Sequence, residues 1–298
     1  PGARAAPRIA RMEADLRRRA ERIASDRLQT LRPATGFMDG SPGYLVDWLD
    51  NLIDGVTLAD FEEDLRRGDG CELPDRPGTP AKFRTAFSSS ALAVNTFGPF
   101  RHEPARLSLV GVTGFRSVEF EHACANGLVG TNPHFDVFAQ TDATVVAVES
   151  KFLEPLRPKA AAFSDQYQDP FRGTSTTTPL VEPPWARMYS RLREDPATYR
   201  YLDAAQLAKH HLGLVVSFSN RQRTLVYLYW EPTNAASLGP YRDHRREVND
   251  FAASEAGCDT RFVALSYPSL WREWDHNRSS LDLSEHIDRL RQRYEFAL

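Results

Sequence analysis

Apolar and polar residues follow two different periods along the chain, and this change of period divides it into two regions. Residues 3–31 carry apolar side chains at near-helical spacing, which predicts one long amphipathic helix. Residues 43–65 predict two short helices, and residues 68–80 are rich in glycine, proline and aspartate, as linkers are. We therefore expect a helical N-terminal extension over residues 1–80 and a second domain over residues 81–298.

The second region mixes helical periodicity with short apolar or alternating runs that are typical of strands. Helices are predicted over residues 87–97, 185–192, 199–212, 243–256 and 283–296. Strands are predicted over residues 107–113, 116–123, 135–139, 145–152, 214–218, 224–230 and 261–266. Residues 155–184 are rich in proline, serine and threonine and predict a long surface loop. This order of elements, α-β-β-β-α-β at its centre, predicts an α/β fold with a central mixed sheet flanked by helices.

Three charged residues lie within two of the predicted apolar strands. Asp136 follows Phe135, and Glu149 and Lys151 come at the end of the valine-rich run that begins at Val145. Burying an unpaired carboxylate or ammonium group costs several kcal/mol, so such groups are seldom placed in apolar strands without a use. Two carboxylates and a lysine can hold a divalent cation beside a phosphate, which is the chemistry of metal-dependent phosphodiester hydrolysis.

The loop between these two strands decides which of their side chains meet. Residues 140–143 predict a hairpin loop of even length. Paired residue numbers then have a constant odd sum, which puts Asp136 on the same face as Glu149 and Lys151. Directly opposed Cβ atoms are about 4.5–5.5 Å apart, so one metal ion could contact both carboxylates. The alternative is a solvated strand face on which Glu149 and Lys151 form a surface ion pair worth at most about 1 kcal/mol.

The segment from Pro133 to Asp136, followed by Glu149-Ser150-Lys151, resembles the PD-(D/E)XK nuclease superfamily, which includes restriction endonuclease-like enzymes. Two residues separate Pro133 from Asp136, whereas the simplest family form has them adjacent. The similarity extends over residues 81–267 and is greatest to a bacterial branch. It implies a restriction endonuclease-like α-β-β-β-α-β core, with Asp136 and Glu149 as metal ligands. Lys151 would then position or polarise the attacking water and stabilise developing negative charge.

Two further residues are candidates for the same site. Either Glu119 or Glu121 could supply a third carboxylate, for a second metal, and Glu121 is preferred because it is nearer the loop that follows. Gln206 matches a glutamine that several nuclease branches carry on the helix after the E-x-K motif. The tyrosine expected four residues later is His210 here. The expected ion is Mg²⁺, with Mn²⁺ as a substitute, because carboxylate oxygens suit hard cations.

Composition indicates the cellular compartment of the protein and the kinds of partner that it could bind. The 298 residues include three widely spaced cysteines without zinc-site spacing, which indicates a reducing compartment and a cytoplasmic protein. No apolar run approaches the roughly 20 residues that cross a bilayer, so no membrane association is expected. The formal net charge of −3 counts mildly against tight non-specific binding to nucleic acid, although a local cleft can still be basic.

The leading hypothesis from the sequence is a metal-dependent nuclease whose partner is nucleic acid, with DNA as the expected substrate. A second hypothesis is a catalytically silent module on the same fold that binds nucleic acid or another partner. A third is a structural α/β protein in which the E-x-K motif is a coincidence. The sequence leaves open DNA versus RNA, endonuclease versus exonuclease, and the oligomeric state.

Overall fold

The central sheet is mixed and follows chain order. The computed structural model describes residues 2–67, 72–130, 132–173, 181–276 and 283–298, with side chains from residue 9 onward. Within these ranges five strands form one sheet, in the order β1-β2-β3-β4-β5. They are β1 (Ser117–Ala123), β2 (His134–Gln140), β3 (Thr144–Lys151), β4 (Gln222–Tyr229) and β5 (Thr260–Ser266). Strands β1 to β3 are antiparallel neighbours, whereas β3, β4 and β5 run parallel.

Helices cover both faces of this sheet. They are α1 (Gly2–Leu31), α2 (Glu62–Arg67), α3 (Ser89–Phe97), α4 (Gln168–Arg172), α5 (Pro183–Glu194), α6 (Ala204–Ser217), α7 (Gly239–Ser254), α8 (Tyr267–His276) and α9 (Ser284–Tyr294). No helix in the described ranges combines the length and the apolar character needed to cross a membrane. The predicted α/β class, with a mixed sheet between helices and a helical N-terminal segment, is confirmed.

Two hydrophobic cores lie on opposite faces of the sheet. Val146 and Val148 of β3 pack with Phe97 of α3 and with α8 and α9 in the first core. Val145 and Ala147, on the other face of the same strand, pack with α5, α6 and α7 in the second. A strand that is buried on both faces needs a continuous apolar run, which explains the valine-rich sequence of β3. Glu149 and Lys151, at the end of that run, therefore lie where the two hydrophobic cores end.

The N-terminal segment contributes to the first core and supports β1. Leu52, Phe61 and Leu65 pack in the same cluster as Val118 of β1. The buried carboxylate of Asp64 accepts the backbone N–H of Phe120 at 3.0 Å. This segment therefore fixes β1 from its outer side, because it satisfies a backbone donor that has no neighbouring strand there.

Two predicted strands are wrong. Residues 107–113 form a turn with an isolated bridge between Leu109 and Val112. Val110 and Gly111 at its tip have left-handed φ values of 48° and 84°, which a straight strand does not permit. Residues 214–218 largely continue α6 to Ser217. A run of four or five apolar residues suits a buried helix turn as well as a strand, so periodicity alone could not separate them.

Other boundaries also differ from the predicted ones. Residues 43–65 form short 3-10 turns and the beginning of α2, rather than two helices. Of the predicted loop over residues 155–184, residues 174–180 lie outside the described ranges, and the rest contains α4 and the beginning of α5 besides loop structure. Helix α8 was not predicted, since it follows β5 without any intervening turn residue. Residues 68–71 of the predicted linker lie outside the described ranges.

Candidate active site at the ends of β1, β2 and β3

The register of the β2–β3 hairpin is the one that brings Asp136 and Glu149 together. The pairs run from Gln140↔Val145 to Val137↔Val148. Their residue numbers have a constant odd sum, so the predicted parity of this hairpin is confirmed. Continuing the same register by one residue sets Asp136 opposite Glu149, at the end where the two strands stop pairing.

A break in side-chain alternation lies beside this point. Val137 belongs to the first core, whereas Phe135, only two residues away, belongs to the second. On the neighbouring strand, Glu121 has a left-handed φ of 49°, a backbone conformation that non-glycine residues rarely adopt. Strained backbone of this kind costs about 1–3 kcal/mol and concentrates at functional sites. Glu121 and Asp136, which lie at this break, both line one cavity.

This cavity has a volume of about 540 Å³ and opens at the ends of β1, β2 and β3. All five residues predicted for the site line it: Glu121, Asp136, Glu149, Lys151 and Gln206. Of the two alternatives for a third carboxylate, Glu121 lies in the cavity. Glu119 instead pairs with Nδ1 of His122 at 2.8 Å and does not line it.

Lys151 connects the β3 motif to helix α6. Its ammonium group contacts Oε1 of Glu149 and donates to Oε1 of Gln206 at 2.9 Å. The second oxygen of Glu149 lies 3.3 Å from Nδ1 of His210. Asp203 caps α6 by accepting the backbone N–H of Gln206 at 3.0 Å, which fixes the first turn that carries this glutamine. The position predicted to hold a tyrosine in other branches thus holds a buried histidine against Glu149.

A hydrogen bond from the β3 backbone fixes the carboxylate of Asp136. Its Oδ2 accepts the N–H of Ser150 at 2.7 Å. The Ser150 hydroxyl lies 2.7 Å from the hydroxyl of Tyr267 and 3.3 Å from the carbonyl oxygen of Ser89. The middle residue of the E-x-K motif therefore orients the carboxylate on the neighbouring strand and joins β3 to α3 and α8.

The carboxylates of the cavity destabilise each other's charged forms. Burial, followed by the charges of Glu72 and Glu149, raises the pKa of Glu121 to about 8. Burial, followed by Glu149 and Glu121, raises the pKa of Asp136 well above its usual range. Burial acts to lower the pKa of Lys151, but the carboxylates around it, Glu149 first, outweigh this effect and raise it. The cavity therefore combines a charged lysine with carboxyl groups, Glu121 and Asp136, whose negative charge the neighbouring cations do not fully balance.

One buried carboxylate of the cavity was missed at the level of the sequence. Glu72, which is 5% exposed, lies in the predicted linker. It accepts from the Ser90 hydroxyl at 2.6 Å and from Nζ of Lys82 at 2.8 Å. Nothing in the linker composition distinguishes Glu72 from a solvated acidic residue, because its burial depends on a loop that folds back against α3.

The donor set of the cavity suits a hard divalent cation, although the carboxylates are not gathered around one point. In the part of the chain that the structure describes, no group of three or more histidine, cysteine, aspartate or glutamate side chains is close enough together to hold a metal ion. Oε1 of Glu149 contacts the ammonium group of Lys151, and Oδ2 of Asp136 accepts from the backbone of Ser150. Buried carboxylates with raised pKa values nevertheless provide the oxygen ligands that such ions prefer.

The sequence of this chain matches one family of known proteins, and the description of that family is consistent with the fold. The sequence model of the family described as Restriction Endonuclease associating with ARP matches residues 18–295, nearly the whole chain. No significant match was found among curated proteins or among solved structures.

Proposed function

The chain belongs to the Restriction Endonuclease associating with ARP family, and we propose that it is a metal-dependent nuclease that hydrolyses phosphodiester bonds in DNA. The observation that carries the proposal is the shared cavity of Glu121, Asp136, Glu149 and Lys151 at the ends of three adjacent strands. Carboxylates and a lysine that line one cavity at the end of a sheet offer oxygen ligands for a cation and a positive charge, both of which metal-dependent phosphodiester hydrolysis uses.

Asp136 and Glu149 would hold the ion, with Glu121 as a third ligand. The residues fit this role because each is an oxygen donor, and because Glu121 and Asp136 have raised pKa values that a nearby cation would lower. Mg²⁺ is the expected ion and Mn²⁺ a substitute. When bound, the ion would supply positive charge to the phosphate at the step where negative charge develops.

The chain's own residues would orient and stabilise the reacting phosphate. Lys151 carries a raised pKa and stays charged at neutral pH, so its ammonium group can donate to a phosphoryl oxygen. The hydrogen bond from Nζ of Lys151 to Gln206 at 2.9 Å restricts where this charge lies. Fixing the donor before the reaction lowers the cost of reorganisation in the transition state.

A catalytically silent binding module on the same fold is the second candidate. One observation favours it: Oε1 of Glu149 contacts the ammonium group of Lys151, and Oε2 lies 3.3 Å from Nδ1 of His210, so a side chain lies against each oxygen. A metal ion would have to replace at least one of these contacts. A chain that retains the two contacts in the presence of Mg²⁺ would bind nucleic acid without cutting it.

Two measurements on one pair of proteins separate these candidates. The wild type and the Asp136→Asn, Glu149→Gln double variant should be compared for Mn²⁺ binding by calorimetry and for Mg²⁺-dependent cleavage of circular, linear and single-stranded DNA. We expect the wild type to bind Mn²⁺ and to cleave, and the double variant to lose both properties.

The matched control is Glu119→Gln, which removes a carboxylate of the same sheet that does not line the cavity. Equal Mn²⁺ binding by wild type and double variant would refute the metal site, and DNA binding without cleavage would select the silent module.

A further inference from the structure

A second cavity adjoins the candidate active site and has a different set of charged side chains. Its volume is about 240 Å³, and Lys151, Glu154, Arg157 and Gln206 line both cavities. The first cavity also contains the carboxyl groups of Glu72, Glu121, Asp136 and Glu149. The second lacks these four groups, so its lining is richer in basic side chains.

Basic side chains outnumber acidic ones around the second cavity. Lys159 and Arg200 line it together with Lys151 and Arg157, against the carboxylates of Glu154 and Asp203. Its walls belong to the segment after β3 and to the loop before α6, two elements that approach each other only in the folded chain. A cavity of this charge attracts anions, and it continues directly from the place where a reacting phosphate would lie.

The two arginines of the second cavity differ in how firmly they are held. Nε and Nη2 of Arg200 donate to both oxygens of Glu13 at 2.8 and 2.7 Å, and Glu13 is buried. Opening this bidentate pair would leave the buried carboxylate of Glu13 without its cation, which is costly, although the Arg200 side chain is 44% exposed. Nη2 of Arg157 donates to Oε1 of Glu21 at 3.2 Å, and the arginine side chain is 54% exposed. Exposed ion pairs are weak, so Arg157 is the arginine that can exchange its partner.

Helix α1 supplies both of these carboxylates and gives Glu21 another partner. Glu21 lies 3.4 Å from Nε of Arg17 on the same helix. Its carboxylate therefore keeps a cationic neighbour when Arg157 moves to another anion. The exchange costs little, because one exposed ion pair is replaced by another contact between the guanidinium and a singly charged anion.

We propose that the second cavity binds a phosphodiester group of the nucleic-acid strand, next to the one held in the first cavity, and that Glu21 competes with this phosphate for Arg157. The inference rests on the proposed function, since it names how the same substrate continues beyond the reacting bond. The planar guanidinium of Arg157 can donate two parallel hydrogen bonds to phosphate oxygens. Nζ of Lys159 donates to Oδ2 of Asp203 at 2.9 Å, but the lysine side chain is 70% exposed, so this ion pair is weak and the ammonium group can also donate to a phosphate.

The test uses two variants that change affinity in opposite directions. Binding of a labelled single-stranded oligodeoxynucleotide to the full chain is measured in EDTA at several salt concentrations, so that no cleavage is needed. Arg157→Ala should weaken binding about tenfold and lower the salt slope by about one. Glu21→Ala should strengthen binding about two- to fivefold, because it removes the competing anion.

The matched controls are Arg116→Ala and Asp142→Ala. These residues form an exposed ion pair at the hairpin end of the sheet, away from both cavities. Each control removes the same charge as its counterpart. Because both residues lie away from the cavities, each control should leave the affinity for the oligonucleotide within about twofold of the wild-type value. Equal weakening by Arg116→Ala and Arg157→Ala would overturn the site, as would a Glu21→Ala variant that binds no tighter than wild type.

Two further arms identify the ligand and separate this site from the reaction. Inorganic phosphate that displaces the oligonucleotide as effectively as an unlabelled strand would show a site for free phosphate and overturn the strand assignment. A chain that never cleaves DNA but gives the opposite effects of Arg157→Ala and Glu21→Ala would refute the nuclease and retain the binding site. A wild type that cleaves DNA, with Arg157→Ala and Glu21→Ala variants whose affinities for the strand are unchanged, would retain the nuclease and refute the binding site.

Discussion

Gly213 of α6 lies so close to Pro133 that a Cβ built on the glycine would be 2.7 Å from Cγ of the proline. The same Cβ would lie 3.3 Å from Cβ of Cys124, at the end of β1. Helix α6 therefore rests directly against the segment that leads into β2. Gln206 and His210 on this helix owe their reach into the cavity to that close approach.

Replacing Gly213 by alanine should destabilise the protein, although alanine is the better helix former. The added methyl group must push Pro133 or the helix away, and overpacking of this kind costs about 1–3 kcal/mol. Urea denaturation followed by circular dichroism measures the effect. The control is Gly239→Ala at the beginning of α7, where no atom lies within 4 Å of the built Cβ. Equal stability of both variants would contradict the close approach.

Glu121→Gln should stabilise the metal-free protein, and more at pH 8 than at pH 5. The pKa of Glu121 is raised to about 8 in the folded protein. A carboxyl whose pKa is raised on folding contributes stability below its unfolded pKa and loses that contribution as pH rises through the folded value. The neutral amide avoids this loss, with a gain on the order of 2 kcal/mol near pH 8.

Glu119→Gln is the matched control for this pH effect, because it changes the same residue type on the same strand. Hydrogen bonding to His122 lowers the pKa of Glu119, although burial opposes it. A carboxyl with a lowered pKa contributes stability above its unfolded pKa, so this variant should be less stable than wild type at pH 8. Thermal unfolding in EDTA at both pH values checks the two signs. The same sign for both variants at pH 8 would contradict the charge balance of the cavity.

Lys151→Ala should reduce turnover strongly while leaving DNA affinity nearly unchanged. Removing one well-placed electrostatic stabiliser costs about 10²–10³ in rate, whereas the loss of a simple phosphate contact would weaken binding instead. Single-turnover cleavage in Mg²⁺ and DNA binding in Ca²⁺ measure the two effects. Lys82→Ala is the control, since Lys82 lines the same cavity but pairs with Glu72.

Gln206→Ala tests whether this glutamine acts through Lys151. Gln206 accepts from Nζ of Lys151, so its loss should lower the rate less than Lys151→Ala does. The double variant should be no slower than Lys151→Ala alone, because residues in contact give non-additive effects. Additive losses in the double-mutant cycle would mean that Gln206 acts independently of the lysine. Undiminished cleavage by Lys151→Ala would remove the role of both residues.

The local pattern determined the part of the site that belongs to one hairpin. The valine-rich run of β3 predicts a strand, and the even loop before it fixes the parity that sets Asp136 opposite Glu149. Both inferences follow from the twofold repeat of a strand, which is a property of neighbouring residues. The E-x-K spacing likewise places Lys151 beyond Glu149 without reference to the rest of the chain.

Only the tertiary structure decided which distant residues join that hairpin. Glu121 enters the cavity instead of Glu119 because its backbone adopts a left-handed φ beside the break in alternation. Glu72 reaches the cavity through a loop whose composition predicts only a linker, and α6 is placed against the segment before β2 by the close approach of Gly213 to Pro133. These features depend on how elements far apart in the chain pack together. A sequence pattern records the period of each element, but the packing of one element against another decides which carboxylates share a cavity.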